Sequence, residues 1–124
     1  MSVLGNRHNK SIAVVDDELD IVTLFTEILQ ENGYHAMGFT DSLFILDYIS
    51  KHPNEFDLII IDYRMSPLQG YELSNKILKI NQKIKMILIT AYDDIKNNSL
   101  NLEIVKKPIT LSKLLQIIQQ HLVS

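Results

Sequence analysis

With 124 residues, 46% of them apolar and 22% charged, the chain is sized for one domain around one sizeable core and is neither disordered nor fibrous in composition. The formal charge of -3, from 12 basic and 15 acidic residues, gives no electrostatic case for direct nucleic-acid binding; Lys76, Lys79, Lys83 and Lys85, the nearest thing to a basic cluster, read as a solvated face. No apolar run exceeds four residues, no cysteine is present and the N-terminus carries no signal-peptide core or lipidation pattern, so the expectation is a cytoplasmic protein without membrane spans, disulfides or thiolate chemistry.

Residues 1–10 are polar and patternless and read as a tail ahead of a domain over 11–124. Ile12 to Val15 form a short strand, and Asp16-Asp17-Glu18 follow directly. From Leu19 the period changes: Ile21, Leu24, Phe25, Ile28 and Leu29 make one stripe of a helix that Asn32-Gly33 ends. Tyr34 to Phe39 is a weaker strand, interrupted by Gly38, after which Thr40-Asp41 can cap a helix whose buried face is Ile45, Tyr48 and Ile49 and which stops at His52-Pro53-Asn54. Leu58 to Ile61 is a strand buried on both faces, ending on Asp62.

A loop through Pro67 and Gly70 leads to a helix with Leu73, Ile77 and Ile80 inside and Glu72, Lys76 and Lys79 in water. Lys85 to Thr90 is a fourth buried strand, ending on a hydroxyl. Beyond it the pattern weakens; Asp93-Asp94 can cap one or two helical turns before Asn97-Asn98-Ser99. Glu103 to Val105 is a fifth strand, ended by Lys106-Lys107-Pro108, and Thr110 or Ser112 can cap a last helix with Leu111, Leu114, Leu115, Ile118 and Leu122 inside. Strands that are apolar throughout, alternating with helices, predict an α/β fold: a doubly wound, five-stranded parallel sheet with helices on both faces.

Four strands end on polar groups of complementary kinds: Asp16-Asp17, Asp62, Thr90 and Lys107. In a parallel sheet these ends share one edge, the edge where ligands of open α/β sheets bind. Three carboxylates gathered there repel, by about 4 kcal/mol for one pair at 4 Å and an effective dielectric of 20. Such a set must hold a proton or a cation, and all-oxygen ligands suit a hard one, Mg2+ or alternatively Mn2+. The four histidines, His8, His35, His52 and His121, show no ligand spacing and read as surface residues. A cation beside Asp62, with the Lys107 ammonium and the Thr90 hydroxyl aimed at the same spot, makes a receptor for a tetrahedral anion and suggests a phosphoryl group held covalently by a carboxylate nucleophile.

In V-V-D-D-E, I-I-I-D-Y-R-M, I-L-I-T-A and V-K-K-P-I, together with Gly70, the chain resembles the receiver (CheY-like) domain of two-component response regulators from about Ile12 to Leu122. The resemblance implies strand order 2-1-3-4-5, the flavodoxin-like arrangement. It implies that Asp62 accepts a phosphoryl group from the phosphohistidine of a histidine kinase or phosphotransfer protein. Mg2+ would be held by Asp16, Asp17, Asp62 and the backbone carbonyl of Arg64. Lys107 would pair with a phosphoryl oxygen, held by a cis bond to Pro108, and Thr90 would hydrogen-bond another. The protein would be a signalling module rather than an enzyme, beyond its own phosphorylation and dephosphorylation. It would act through an unidentified protein target or a phosphorylation-linked homodimer.

Departures from the family pattern also carry expectations. Ser66 displaces the proline after Met65 to Pro67, Ile104 stands where an aromatic ring is usual, and the Thr90 to Lys107 segment is roughly five residues short, a little over one turn. A shortened fourth helix follows, with Tyr92 as the nearest ring to replace the missing one. Arg64 and Tyr92, both bulky, flank Asp62 and predict slow loss of phosphate. A second reading keeps the fold as a scaffold or dimerisation module that is never phosphorylated. A flavin- or nucleotide-binding enzyme is disfavoured because D-D-E puts negative charge where a phosphate would sit.

Overall fold

The apolar segments become strands and the segments with helical period become helices, in the order β1 (Ser11–Val15), α1 (Leu19–Glu31), β2 (His35–Phe39), α2 (Ser42–Lys51), β3 (Leu58–Asp62), α3 (Gly70–Ile80), β4 (Lys85–Thr90), β5 (Glu103–Lys106) and α4 (Leu111–Leu122). The structure is a computed structural model and describes residues 10–91 and 102–122. The shortened fourth helix, its Asp93-Asp94 cap, the place of Tyr92, His8 and most of the expected tail lie outside the described residues. All ladders are parallel, in the order β2-β1-β3-β4-β5.

The sheet divides the core in two. Ala13, Val15, Ile59, Ile61 and Leu88 point to one side, where Ile45 and Ile49 of α2 and Leu73 and Ile77 of α3 cover them. Ile12, Val14, Leu58, Ile60, Ile87 and Ile89 point to the other, under Leu29 of α1 and Leu114 and Ile118 of α4. Strand residues alternate between the faces, so a sheet covered on both sides must be apolar at every position, which is why β3 reads as an unbroken run.

Three helical faces differ in detail from the expectation, and on α4 it is Leu111, expected inside, that is 36% exposed. On α1 the buried residues are Val22 and Leu29, while Leu24 is 45% exposed. The cause lies in β2: a Cβ at Gly38 would stand 2.2 Å from Val22 Cγ1, so the glycine leaves the room that Val22 fills and turns α1 by that side onto the sheet. On α2, Ile45 and Ile49 are fully buried but Tyr48 is half-buried, its ring tilted against Phe39 and Phe56.

Asp41 caps α2 by accepting from Leu43 N–H at 2.8 Å and Phe44 N–H at 3.1 Å. Between the two candidate caps of α4, Thr110 does the work, its Oγ1 accepting from Lys113 N–H at 3.1 Å. Lys107–Pro108 and Ser66–Pro67 are both cis. His35 and His52 are exposed, but His121 is half-buried, with Nε2 3.4 Å from Glu103 Oε1 and its carbonyl accepting from Lys85 Nζ. Lys76, Lys79, Lys83 and Lys85 are all exposed. Among the described residues no helix is long and apolar enough to cross a membrane.

Candidate functional site

The alternation that divides the core also sorts the polar strand ends. Asp16 continues the series Ile12, Val14; Asp62 continues Leu58, Ile60; Lys107 continues from Val105. All three therefore fall on the α1–α4 side of the sheet's carboxyl edge, and all three line one cavity of about 320 Å³ whose walls include Ile21, Phe25, Ile60 and Ile109. Thr90, 1% exposed, continues Met86 and Leu88 and so falls on the opposite side, the side of Ile104. Asp17 and Glu18 are exposed where the chain leaves β1, and Arg64 is exposed in the loop after β3.

Asp62 is 9% exposed and both of its carboxylate oxygens are engaged. Lys107 Nζ lies 3.1 Å from Oδ2, and the Arg64 backbone N–H donates to Oδ1 at 3.1 Å. Lys107 is itself 41% exposed, so it can leave this pairing for another oxygen at small cost. Behind the carboxylate the backbone is walled in: a Cβ at Gly70 would stand 2.6 Å from the Asp62 carbonyl oxygen, 2.7 Å from Leu88 Cδ1 and 2.9 Å from Tyr63 Cα. Gly70 N–H also donates to the Tyr63 carbonyl at 2.8 Å, folding the loop after β3 back onto its own start.

Asp16 does not cap α1; that position falls to Glu18, whose side chain makes no capping bond. Instead Asp16 Oδ1 accepts from Glu18 N–H at 2.9 Å, keeping the side chain over the sheet edge. Its pKa is pushed up from 3.8 to about 7. Burial is the main cause; the charge of Asp62 and a hydrogen bond with it add to the rise, against the pull of Glu18 N–H and Lys107. Two buried carboxylates thus share one spot, and one of them keeps its proton up to neutral pH unless a cation takes over.

The donor set fits a hard divalent cation. Asp16, Asp17 and Glu18 offer carboxylate oxygens that all lie within 4.8 Å of one another, with no imidazole or sulfur among them. Glu18 was not singled out by its sequence context; the only sign was that it is the third acid in a row. Ser42 left no mark at all, because a serine at a helix start looks like an ordinary cap. It is fully buried, its N–H donating to the Ser66 carbonyl at 3.2 Å and its Oγ accepting from Leu68 N–H at 2.7 Å.

Residues 12–119 match the family described as the response regulator receiver domain. The chain belongs to that family. This receiver domain is 29% identical over 87 residues to sporulation initiation phosphotransferase F of Bacillus subtilis, covering 70% of this chain and 68% of that protein. It is 23% identical over 120 residues to the response regulator receiver protein CpdR of Brucella abortus, covering 93% and 98%. The uncharacterized transcriptional regulatory protein YbdJ of Bacillus subtilis is 33% identical over 93 residues, but the receiver domain spans only 40% of its length. Among solved structures, the response regulator TrrA of Thermotoga maritima in complex with Mg2+ and BeF is 31% identical with a TM-score of 0.78, covering 91% and 99%. A receiver domain protein of Clostridium thermocellum superposes with a TM-score of 0.82 at 26% identity, covering 91% and 94%. Receiver domains are signalling modules of phosphorelays, and the fold here, parallel order 2-1-3-4-5, is theirs.

Proposed function

We propose that Asp62, within the domain formed by residues 11–124, accepts a phosphoryl group from the phosphohistidine of a sensor histidine kinase or phosphotransfer protein. An Asp62 carboxylate oxygen attacks phosphorus, the P–N bond breaks, and the imidazole nitrogen leaves with the electron pair of that bond. The observation that carries this reading is the pairing of one buried carboxylate with a half-exposed ammonium at 3.1 Å and a second buried acid whose pKa is raised to about 7. Such an arrangement is ready to exchange a proton for a cation and a lysine contact for a phosphoryl oxygen.

Asp16 and Asp17, with Asp62 and the Arg64 carbonyl, would hold Mg2+, and Glu18 stands close enough to join them directly or through water. The cation supplies charge neutralisation for the phosphoryl oxygens. Lys107 would follow one of those oxygens as its bond to Asp62 Oδ2 is given up. Thr90 would hydrogen-bond another, which requires its hydroxyl to reach the edge from the α2–α3 side. TrrA, a relative at 31% identity, binds Mg2+ and BeF, which supports carrying this chemistry to the present chain. The modified domain then signals through protein contacts.

Incubation with Mg2+ and acetyl phosphate, followed by intact-mass spectrometry, is expected to add one phosphoryl group. The label should vanish in Asp62→Asn and without the metal, and with Arg64 beside the acceptor it should outlast seconds. Wild-type protein that stays unmodified by both small donors and histidine kinases would point instead to a scaffold that is never phosphorylated.

A further inference from the structure

Resting on the phosphoacceptor reading, we infer that Ser42 is a positioning residue for the metal site: a clamp from α2 that fixes the loop carrying the Arg64 carbonyl. The loop runs from Asp62 to Gly70 and is tied at its inner end twice, by Arg64 N–H on Asp62 Oδ1 at 3.1 Å and by Gly70 N–H on the Tyr63 carbonyl at 2.8 Å. These bonds fix the loop's two feet; its far side, Ser66 to Leu68, packs through the Leu68 side chain on the α2–α3 core cluster and is hydrogen-bonded to α2. Pro67 has no N–H to offer, and two of the remaining backbone groups of this stretch, the Ser66 carbonyl and the Leu68 N–H, meet α2. Ser42 takes both, donating its own N–H to the carbonyl at 3.2 Å and accepting the Leu68 N–H on Oγ at 2.7 Å.

The clamp is stiff on its own side. Ser42 is fully buried and is the first residue of α2, held one position after the Asp41 cap. Asp41 spends its carboxylate on Leu43 and Phe44 N–H, so the cap and the clamp do not compete. Met65, 5% exposed, sets the loop into the core between the two anchors. The Arg64 carbonyl thus lies in a span bounded by Asp62 on one side and the Met65–Ser42 anchor on the other. Removing Oγ leaves Leu68 N–H without that acceptor, and the loop must shift to find water. Asp62 itself, fixed in the middle of the sheet, stays where it is.

The test is calorimetric titration of Mg2+ into wild type, Ser42→Ala and Ser42→Thr, with urea unfolding of each in parallel. Partners that orient metal ligands without touching the metal change affinity by about 10- to 100-fold, and the lower end is expected for Ser42→Ala. Ser42→Thr, which keeps the hydroxyl, should recover most of the affinity. In Ser42→Ala the rate of labelling by acetyl phosphate at saturating Mg2+ should stay within a few-fold of wild type. Should Ser42→Ala fail to fold, Ser42→Cys keeps the volume and weakens the acceptor, and its affinity is read in the same way. Folded Ser42→Ala or Ser42→Cys with wild-type Mg2+ affinity overturns the clamp and leaves the phosphoacceptor reading intact. Wild-type protein that binds no Mg2+ and takes no phosphoryl group overturns both.

Discussion

Asp16 shows how one side chain can record the state of a whole site. As an acid whose folded pKa, about 7, lies above its unfolded value of 3.8, it contributes stability that is complete below the unfolded pKa and is lost as pH rises through the folded one. Metal-free protein should therefore lose urea stability between about pH 4 and pH 7 from this group, and the difference between wild type and Asp16→Asn isolates that loss. Since binding a cation expels the same proton, Mg2+ affinity should climb by about tenfold per pH unit below 7 and level off above it. A titration series that shows no such slope would remove the proton from Asp16. The types and order of Asp16, Asp62 and Lys107 were legible in the sequence because strand ends sit where the fold must place them. Their side of the sheet was a matter of odd and even numbering that only an exact register settles. Ser42 was illegible: its partners are the Ser66 carbonyl and the Leu68 N–H, and no residue type announces a backbone partner.

Among the elements, the contact between α1 and β2 departs most from simple periodicity. The stripe through Leu24 is as apolar as the one through Val22, so hydrophobicity alone could not choose between them; the hole at Gly38 does. Gly38→Ala should cost about 1–3 kcal/mol through overpacking against Val22. Combining it with Val22→Ala should recover about 1 kcal/mol or more of the summed losses, as expected for two groups that share one space. Chemical denaturation of the four proteins in the cycle measures this directly. Gly70→Ala is a harsher change, because two of its three close neighbours are backbone and cannot rotate away. It should reduce labelling at Asp62 as well as stability, since the nearest atom it displaces is the carbonyl oxygen of the proposed phosphoacceptor. Ile104, half-buried against the α2–α3 cluster and paired in register with Leu88, places an aliphatic side chain on Thr90's side of the sheet.

At the scale of the molecule, a parallel sheet with a two-sided core was legible because the central strands β1, β3 and β4 lack alternation, while the strand order followed from the family resemblance. The segment between β4 and β5 was the weakest part of the pattern, with three poor helix formers in a row and few apolar anchors. Cation binding should be visible as global stability: at 100 times its dissociation constant, Mg2+ should raise the unfolding free energy by about 2.7 kcal/mol, and Asp17→Asn should remove most of that gain. Urea midpoints with and without the metal decide the point. Finally, β3 sits third in a row of five, flanked by β1 and β4 and buried along its whole length. Its amides at Ile59 to Ile61 should exchange with deuterium only through complete unfolding, while those in edge strand β2 exchange through smaller openings. The residue proposed to change chemically is thus tethered to the least yielding line of the sheet, so any message it sends must be carried by elements that move around it.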